Sequence, residues 1–403
     1  MKVLLSAYAC EPHKGSEPGV GWRWALEISK LGHEVWVLTR RNNRRWIEGE
    51  LSTMEDIKNV HFFYYDLPKY LSFWKRGGRG VYLYYFLWQL CSLKVVLKLH
   101  NSENFDQAHL ITFGGIRQPN FLRILNVPYI VGPIGGAEKA PWRLRCGYGP
   151  RGWLLDAIRD IANIWIKVDP LFYFSVSKAS SIYTKTKASL AALPKRYQTK
   201  AKCRMEIGID RSSAVRLHRE CSQVATRFLY VGRLVYWKGM HLGLAAFKEV
   251  LLEIPDARLS IVGVGPDEKR WKKIAVEIGI DKNIDWRGWV PHQEIKKIYL
   301  EHDVFLFPSL HDSSGNVVLE ALSFGLPIVC FNLGGPGEIV DSTCGIVVEA
   351  KGITRRTAVR ELATGMLLLS RSAKKRTVLA TGGVAKADKL AWHKVVKKLY
   401  PKV

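Results

Sequence analysis

No C-x-x-C pair occurs among the seven cysteines, and several of them lie in apolar runs. That spacing excludes a zinc ribbon and a disulfide scaffold, and it fits a reduced, cytosolic chain. No Asp-x-Asp occurs either, so no metal site is expected and a divalent cation held on a diphosphate by carboxylates is not indicated. The G-x-G-x-x-G fingerprint of dinucleotide sites is missing, and so is the Gly-x-Ser-x-Gly elbow of acyl-transfer hydrolases. Long apolar runs are scarce. The opening MKVLLSAYACEP stops at a polar glycine loop too soon for a signal peptide and reads as a first strand. Val81–Leu99 is apolar and aromatic, but Lys94 and Lys98 interrupt its end, so it reads as a buried or interfacial helix.

Acids are the minority charge: 36 Asp and Glu stand against 61 Lys and Arg, a net +25. Such a field draws anionic partners, whether nucleotide phosphates, nucleic acid or an acidic membrane leaflet. The excess is uneven. Residues 301–350 hold seven acids and no Lys or Arg, whereas 351–403 hold 14 bases and two acids. Arg40–Trp46 and Lys69–Arg79 interleave cations with aromatic side chains, closer to a membrane-edge surface than to a nucleic-acid groove. A merely soluble basic face explains that pattern equally well. With 403 residues, 47% of them hydrophobic, the chain has too much apolar material for one core and enough for two.

Short apolar runs alternate with helical patterns, which makes the fold class α/β with two doubly wound, Rossmann-like domains facing a central cleft. The first domain is expected over 1–212 and the second over 213–385, with Arg211–Thr226 as linker. Lys2–Ala7 and Glu34–Thr39 read as strands around the helix Trp22–Leu31, and Phe172–Ser177 and Ser180–Thr184 read as the last strands of the first domain. Gly15 and Gly19 follow the first strand, and Gly135 and Gly136 follow the strand Pro128–Val131. These glycines fall at the carboxyl edge of a parallel sheet, where open α/β sheets bind ligands, as acceptor or phosphate loops. His109 ends a strand there, as a core histidine or a catalytic one.

The stretch Phe307–Val340, FPSLHDSSGNVVLEALSFGLPIVCFNLGGPGEIV, organises the second half. It reads as a strand end, a polar loop, a helix, a second strand and a glycine-rich turn. Ser313 or Ser314 suits the helix cap, and the free N–H groups of the helix start, with Gly315, suit an anion. Asp312 precedes the helix, and Glu320 lies about 9 Å along its axis from Ser314. A nucleotide sugar has the matching layout of sugar hydroxyls, diphosphate and ribose. Taken alone, Glu320 is equally a solvated helix carboxylate. Upstream, Gly232-Arg233 and Lys238-Gly239 follow another strand, and two cations there can neutralise a diphosphate leaving group. Gly263 closes a further strand, and Gly288–Pro291 suits a base edge held by backbone groups.

These residues resemble the retaining GT-B glycosyltransferases of family 4: G-R-L-x-x-x-K-G, then G-x-G-P, then F-P-S, then D-S-S-G-N-V-V-L-E-A-L-S-F-G-L-P-I-V and G-G-P-G-E-I-V. The opening G-S-E-P-G-V-G-W and the segment G-P-I-G-G-A-E resemble members that build bacterial exopolysaccharides or envelope polysaccharides. The resemblance implies that Asp312 and Glu320 stand in the family's Glu-x₇-Glu pair, the first at the donor sugar and the second at the ribose. It also implies that Arg233 and Lys238 bind the diphosphate. Amides of Gly315, Asn316 and Val317 cradle sugar and phosphate, and Val290 meets the base. Asp312 is shorter by one methylene than the family's glutamate. His109 matches a D-x-x-H strand, while the more typical histidine position holds Ile111. Glu206 replaces a common asparagine beside the donor site. Residues 386–403 match the terminal helix that packs back onto the first domain.

The implied activity is a metal-independent, retaining hexosyl transfer, with UDP-glucose the favoured donor and a glycan or lipid-linked sugar the acceptor. No cofactor is expected beyond the nucleotide sugar, and no nucleic acid. The setting would be cytoplasmic, with peripheral contact to an anionic membrane at its inner face. A nucleotide-sugar epimerase or a phosphorylase of the same fold is the alternative enzyme, and a binder of anionic lipid or nucleic acid is the non-catalytic one.

Overall fold

A computed structural model describes residues 1–54, 57, 59–210 and 224–400. Most of the expected linker Arg211–Thr226 lies outside the described residues. Among the described residues, thirteen strands form two sheets, parallel throughout. The first contains β1 (Lys2–Ser6), β2 (Glu34–Arg40), β3 (Val60–Tyr65), β4 (Gln107–Leu110), β5 (Tyr129–Ile134), β6 (Ser181–Thr184) and β7 (Ala201–Cys203) in the order β3-β2-β1-β4-β5-β6-β7. The second contains β8 (Arg227–Val231), β9 (Arg258–Val262), β10 (Ile284–Gly288), β11 (Val304–Phe307), β12 (Ile328–Phe331) and β13 (Gly345–Val348) in the order β10-β9-β8-β11-β12-β13. Both follow the doubly wound order in which winding reverses beside the first strand.

The central strands are apolar along their length because helices cover both faces of a parallel sheet. Val3, Leu4 and Leu5 of β1 and Val304 through Phe307 of β11 are fully buried. In the first unit the core collects Tyr8, Tyr85, Trp88 and Phe105 around Leu4 and Leu110. In the second, Phe305 stacks with Phe307 and Phe307 with Tyr230.

Unit 1 comprises Met1–Ala137, Ala162–Ile207 and Trp392–Val403; unit 2 comprises Glu138–Ile161 and Gly208–Ala391. The expected first domain contained 138–161 as well, so this excursion between β5 and β6 is a difference. Its reason lies in its partners: the Leu144 carbonyl accepts from His241 at 3.0 Å, Tyr148 packs edge-on against Tyr236, and Asp156 meets His311. At the carboxyl end, Tyr400 is buried in unit 1 beside His109.

Two local readings fail. Phe172–Ser177 is not a strand but falls in the helix Pro170–Val176, started by Asp169, whose carboxylate accepts from the Leu171 N–H. A proline at the first helical position and an Asp cap outweigh the β-propensity of Phe and Tyr. The first helix begins at Ser16, not Trp22, so Gly19 and Gly21 lie inside it and only Gly15 remains before it. Val81–Glu103 is one helix with Tyr85 and Trp88 turned inward. Among the described residues, no helix is long and apolar enough to cross a membrane. Trp46, Tyr70 and Phe73, from the two cation-aromatic segments, are exposed.

Candidate functional site

In unit 2, β8 and β11 are neighbours although two strands separate them in sequence. The crevice outside the carboxyl ends of such a pair is where an open sheet takes its ligand. The loop after β8 carries Gly232, Arg233 and Lys238, and the loop after β11 carries His311 to Gly315. Backbone contacts stitch the two together. The Leu310 N–H donates to the Trp237 carbonyl at 2.8 Å. Gly239, at φ +69°, passes so close that a Cβ there would lie 1.9 Å from the Pro308 carbonyl oxygen.

That stitching brings Lys238 to Asp312 as a largely buried ion pair. The Lys238 ammonium also stands 4.8 Å from the Phe307 ring centroid, a cation–π contact. Burial alone would raise the Asp312 carboxyl. The Lys238 charge and hydrogen bond, with the amides of Ser314 and Gly315, hold it below the ordinary carboxylate range instead. Arg233 is exposed at the end of β8.

The helix Asn316–Ser323 starts from Gly315, which is left-handed at φ +79°, with no side-chain cap. The expected serine cap is therefore absent: the Ser314 N–H points to Asp312 Oδ1 at 3.3 Å, and the aspartate organises the turn. Asn316 Oδ1 is buried and has no hydrogen-bond partner among the described residues. Four residues on, Glu320 Oε2 accepts from the buried Tyr299 hydroxyl at 3.1 Å, and the Val317 carbonyl lies 3.4 Å from that hydroxyl oxygen. Gly263 ends β9, where its N–H donates to the Gly288 carbonyl at 2.7 Å, and Val290 follows β10 beside exposed Trp289. Among the described residues, no three His, Cys, Asp or Glu side chains gather as a metal site.

Sequence reasoning missed the layer behind this loop. His311 stacks on Trp237 at 5.4 Å and places Nε2 2.8 Å from Asp156 Oδ1. Asp156 is fully buried, 3.2 Å from Arg145 Nε, with Arg159 beyond. Burial would raise the Asp156 carboxyl, but His311, Arg145 and Arg159 hold it low; burial pushes His311 down, toward the neutral imidazole. No spacing in the sequence links residue 156 to residue 311, because the excursion 138–161 supplies one partner and the β11 loop the other.

Residues 224–376 match the family described as Glycosyl transferases group 1. This group 1 segment contains Arg233, Lys238, Asp312 and Glu320. The chain is 34% identical over 112 residues to an uncharacterized glycosyltransferase of Methanocaldococcus jannaschii, covering 28% of each chain. It is 29% identical over 199 residues to the D-inositol 3-phosphate glycosyltransferase of Segniliparus rotundus, covering 48% of this chain and 40% of that one. The matches thus span well under half the length of these curated relatives. Among solved structures, Anabaena Alr3699/HepE in complex with UDP aligns with a TM-score of 0.62 at 15% identity, over 99% of this chain and 98% of that one. WaaG, a glycosyltransferase involved in lipopolysaccharide biosynthesis, aligns with 0.60 at 16% identity, over 98% of each. At those identities the likeness concerns the fold, which is GT-B: two Rossmann-like α/β units.

The remaining candidates lie in unit 1, outside the group 1 segment. His109 is fully buried; its Nε2–H donates to the Gly132 carbonyl at 2.6 Å and its Nδ1 accepts from the Tyr400 hydroxyl at 2.9 Å. Both nitrogens are committed, so the catalytic reading is corrected to a structural one. Glu206 is buried in an ion pair with Lys185 at 2.8 Å, and its backbone carbonyl accepts from Trp24. It belongs to unit 1. The Gly135 N–H donates to the Gly114 carbonyl at 2.9 Å, and the Gly136 carbonyl accepts from Arg117 at 2.7 Å. Those two glycines splice strand ends together.

Burial lowers both His109 and His241 to about 4. The unfolded chain, with histidines near 6.5, binds protons first as the pH drops. Stability is therefore flat above about pH 6.5 and falls from there toward about pH 4. Thermal melts across this window should show that decline, and His109→Gln should lessen its slope while lowering the melting temperature at neutral pH. An unchanged slope would mean that His109 does not stay neutral.

Proposed function

We propose that the protein is a retaining, metal-independent hexosyltransferase of family 4 type. It moves a sugar, glucose from UDP-glucose favoured, onto a glycan or lipid-linked acceptor in envelope polysaccharide biosynthesis. The observation that carries this reading is the Lys238–Asp312 pair, held at the β8/β11 switch point beside the uncapped start of Asn316–Ser323. Uncapped N–H groups and the helix dipole favour a phosphate there. Asp312 offsets one positive charge, so Arg233 supplies the net cation for the diphosphate. Asn316 Oδ1, buried and without a partner among the described residues, suits a ligand hydroxyl. Tyr299 orients Glu320, which suits it to take a ribose hydroxyl, and Val290 lies on the base side.

During transfer the bond from anomeric carbon to diphosphate oxygen breaks, and the acceptor oxygen bonds to the same face. Charge builds on the leaving diphosphate, which takes the acceptor's proton. Fixed cations and amides aimed at that charge supply the largest catalytic term. Support for the donor comes from the HepE structures, one with UDP and another with UDP-glucose. Support for an envelope product comes from the likeness to WaaG.

Calorimetry with UDP, GDP and ADP tests the donor, and NMR of the first product tests retention. UDP is expected to bind tightest, and turnover of UDP-glucose should persist in EDTA. Glu320→Ala should weaken UDP about tenfold or more, the loss of a charge-assisted hydrogen bond. Unchanged UDP affinity in both Glu320→Ala and Lys238→Ala would remove the site. Conversion of UDP-sugar without acceptor would point to an epimerase.

A further inference from the structure

The His311 ring is held on two sides, and both holds bear on the Lys238–Asp312 pair. One face stacks on Trp237, with centroids 5.4 Å apart and planes 14° apart. The Nε2 edge meets Asp156 Oδ1 at 2.8 Å. Trp237 immediately precedes Lys238, and His311 immediately precedes Asp312. The stack thus joins the residue before the cation to the residue before the acid. The Trp237 carbonyl also takes the Leu310 N–H at 2.8 Å, so rings and backbone register the two loops at one place. All of these residues belong to unit 2.

Asp156 is braced from behind. Arg145 Nε lies 3.2 Å from it, and Arg145 is fixed in turn by the Ala140 carbonyl at 2.8 Å and by Asp160 at 2.6 Å. Arg159 stands 3.8 Å away on the other carboxylate oxygen. Well-packed apolar side chains could fill this space without the desolvation cost of a buried carboxylate. An apolar contact would not hold an imidazole at one orientation, whereas a braced carboxylate on its edge does. We infer that Asp156 is a positioning residue for sugar transfer, fixing the His311 ring and, through the Trp237 stack, the places of Lys238 and Asp312. The inference rests on the donor reading above, which says what the pair is positioned for. Asp156 itself touches neither Lys238 nor Asp312; it acts through His311.

His311→Phe, Asp156→Leu and Asp156→Asn in the full chain test it. His311→Phe keeps a ring on Trp237, removes the edge contact and leaves Asp156 with both arginines, so it decides even where Asp156→Leu does not fold. His311→Phe and Asp156→Leu should each lower kcat on UDP-glucose about tenfold, the scale of a small misplacement at a reacting centre. UDP affinity should change about threefold or less, since Tyr299 holds Glu320 independently. Asp156→Asn keeps an oxygen for the imidazole and should recover most of what Asp156→Leu loses. Amide exchange over 307–316 reads the loop with no ligand present: in His311→Phe it should quicken about tenfold, with the β8 amides unmoved. That measurement decides the positioning role even if the wild type binds no UDP, a result that would sink the donor reading instead. Wild-type kcat in His311→Phe, equal fold losses in kcat and UDP affinity, or unaltered exchange over 307–316 would each overturn the inference.

Discussion

Lys238→Met should lower turnover about 10²–10³-fold, the usual loss when a preorganised charge at a developing anion is removed. It should also reshape the pH dependence of stability. In the wild type the Asp312 carboxyl lies below its ordinary value. Its stabilising contribution is therefore present above the unfolded value near about 4 and disappears as the pH falls through the lower folded value. Without Lys238, burial dominates and the carboxyl rises instead. The variant then carries its full deficit, about 1–3 kcal/mol, at neutral pH and recovers part of it on acidification. Lys238→Met/Asp312→Asn removes the stranded charge and should restore the melting temperature without restoring turnover. Melts at two pH values, with initial rates on UDP-glucose, read both effects. A deficit independent of pH, or a double variant no more stable than Lys238→Met, would mean that the pair is not coupled as its geometry implies.

Each member of that pair was legible in the sequence by itself, Lys238 beside Gly239 in the loop after one strand and Asp312 just before a helix, but their contact was not. The apolar runs and strand-end glycines were enough to place a second doubly wound unit. Local chemistry decided where the reading went astray. Ser314 has a capping side chain, but its N–H is taken by Asp312 and the helix starts from Gly315. Aromatic density over Phe172–Ser177 resembled a strand until Asp169 and Pro170 set a helix start. His109 read as either a core or a catalytic histidine at a strand end, and its partner Tyr400 lies nearly 300 residues on. The excursion 138–161 was invisible for the same reason. Burial of Asp156 depends on Arg145, Arg159 and His311 meeting it in space, and long-range polar satisfaction leaves no periodic trace.

Gly334→Ala should be among the most damaging single changes in unit 2. Gly334 sits at φ +58°, a conformation costly for any side chain, and a Cβ there would lie 2.0 Å from the Asp312 carbonyl oxygen. That same oxygen accepts the Gly335 N–H at 2.6 Å. The new methyl cannot be absorbed by a rotamer change, because the atom it meets is backbone; the Asp312 turn or the start of the helix Gly334–Ile339 must move. A suitable reference is Gly279→Ala: φ is +74°, yet nothing lies within 4 Å of the added Cβ. Gly279→Ala therefore reports strain alone, about 1 kcal/mol, whereas Gly334→Ala adds the clash and should cost about 2–4 kcal/mol. The activity split is sharper. Gly279→Ala should keep its turnover, while Gly334→Ala shifts the carboxylate that holds Lys238 and should lose about tenfold or more in kcat, since an ångström of misplacement is that expensive at a reacting centre. UDP affinity should fall less, because Glu320 hangs on Tyr299 and not on this turn. Equal melting temperatures for the two alanine variants would show that the Asp312 turn yields freely. A group held that loosely could not keep Lys238 in place during transfer.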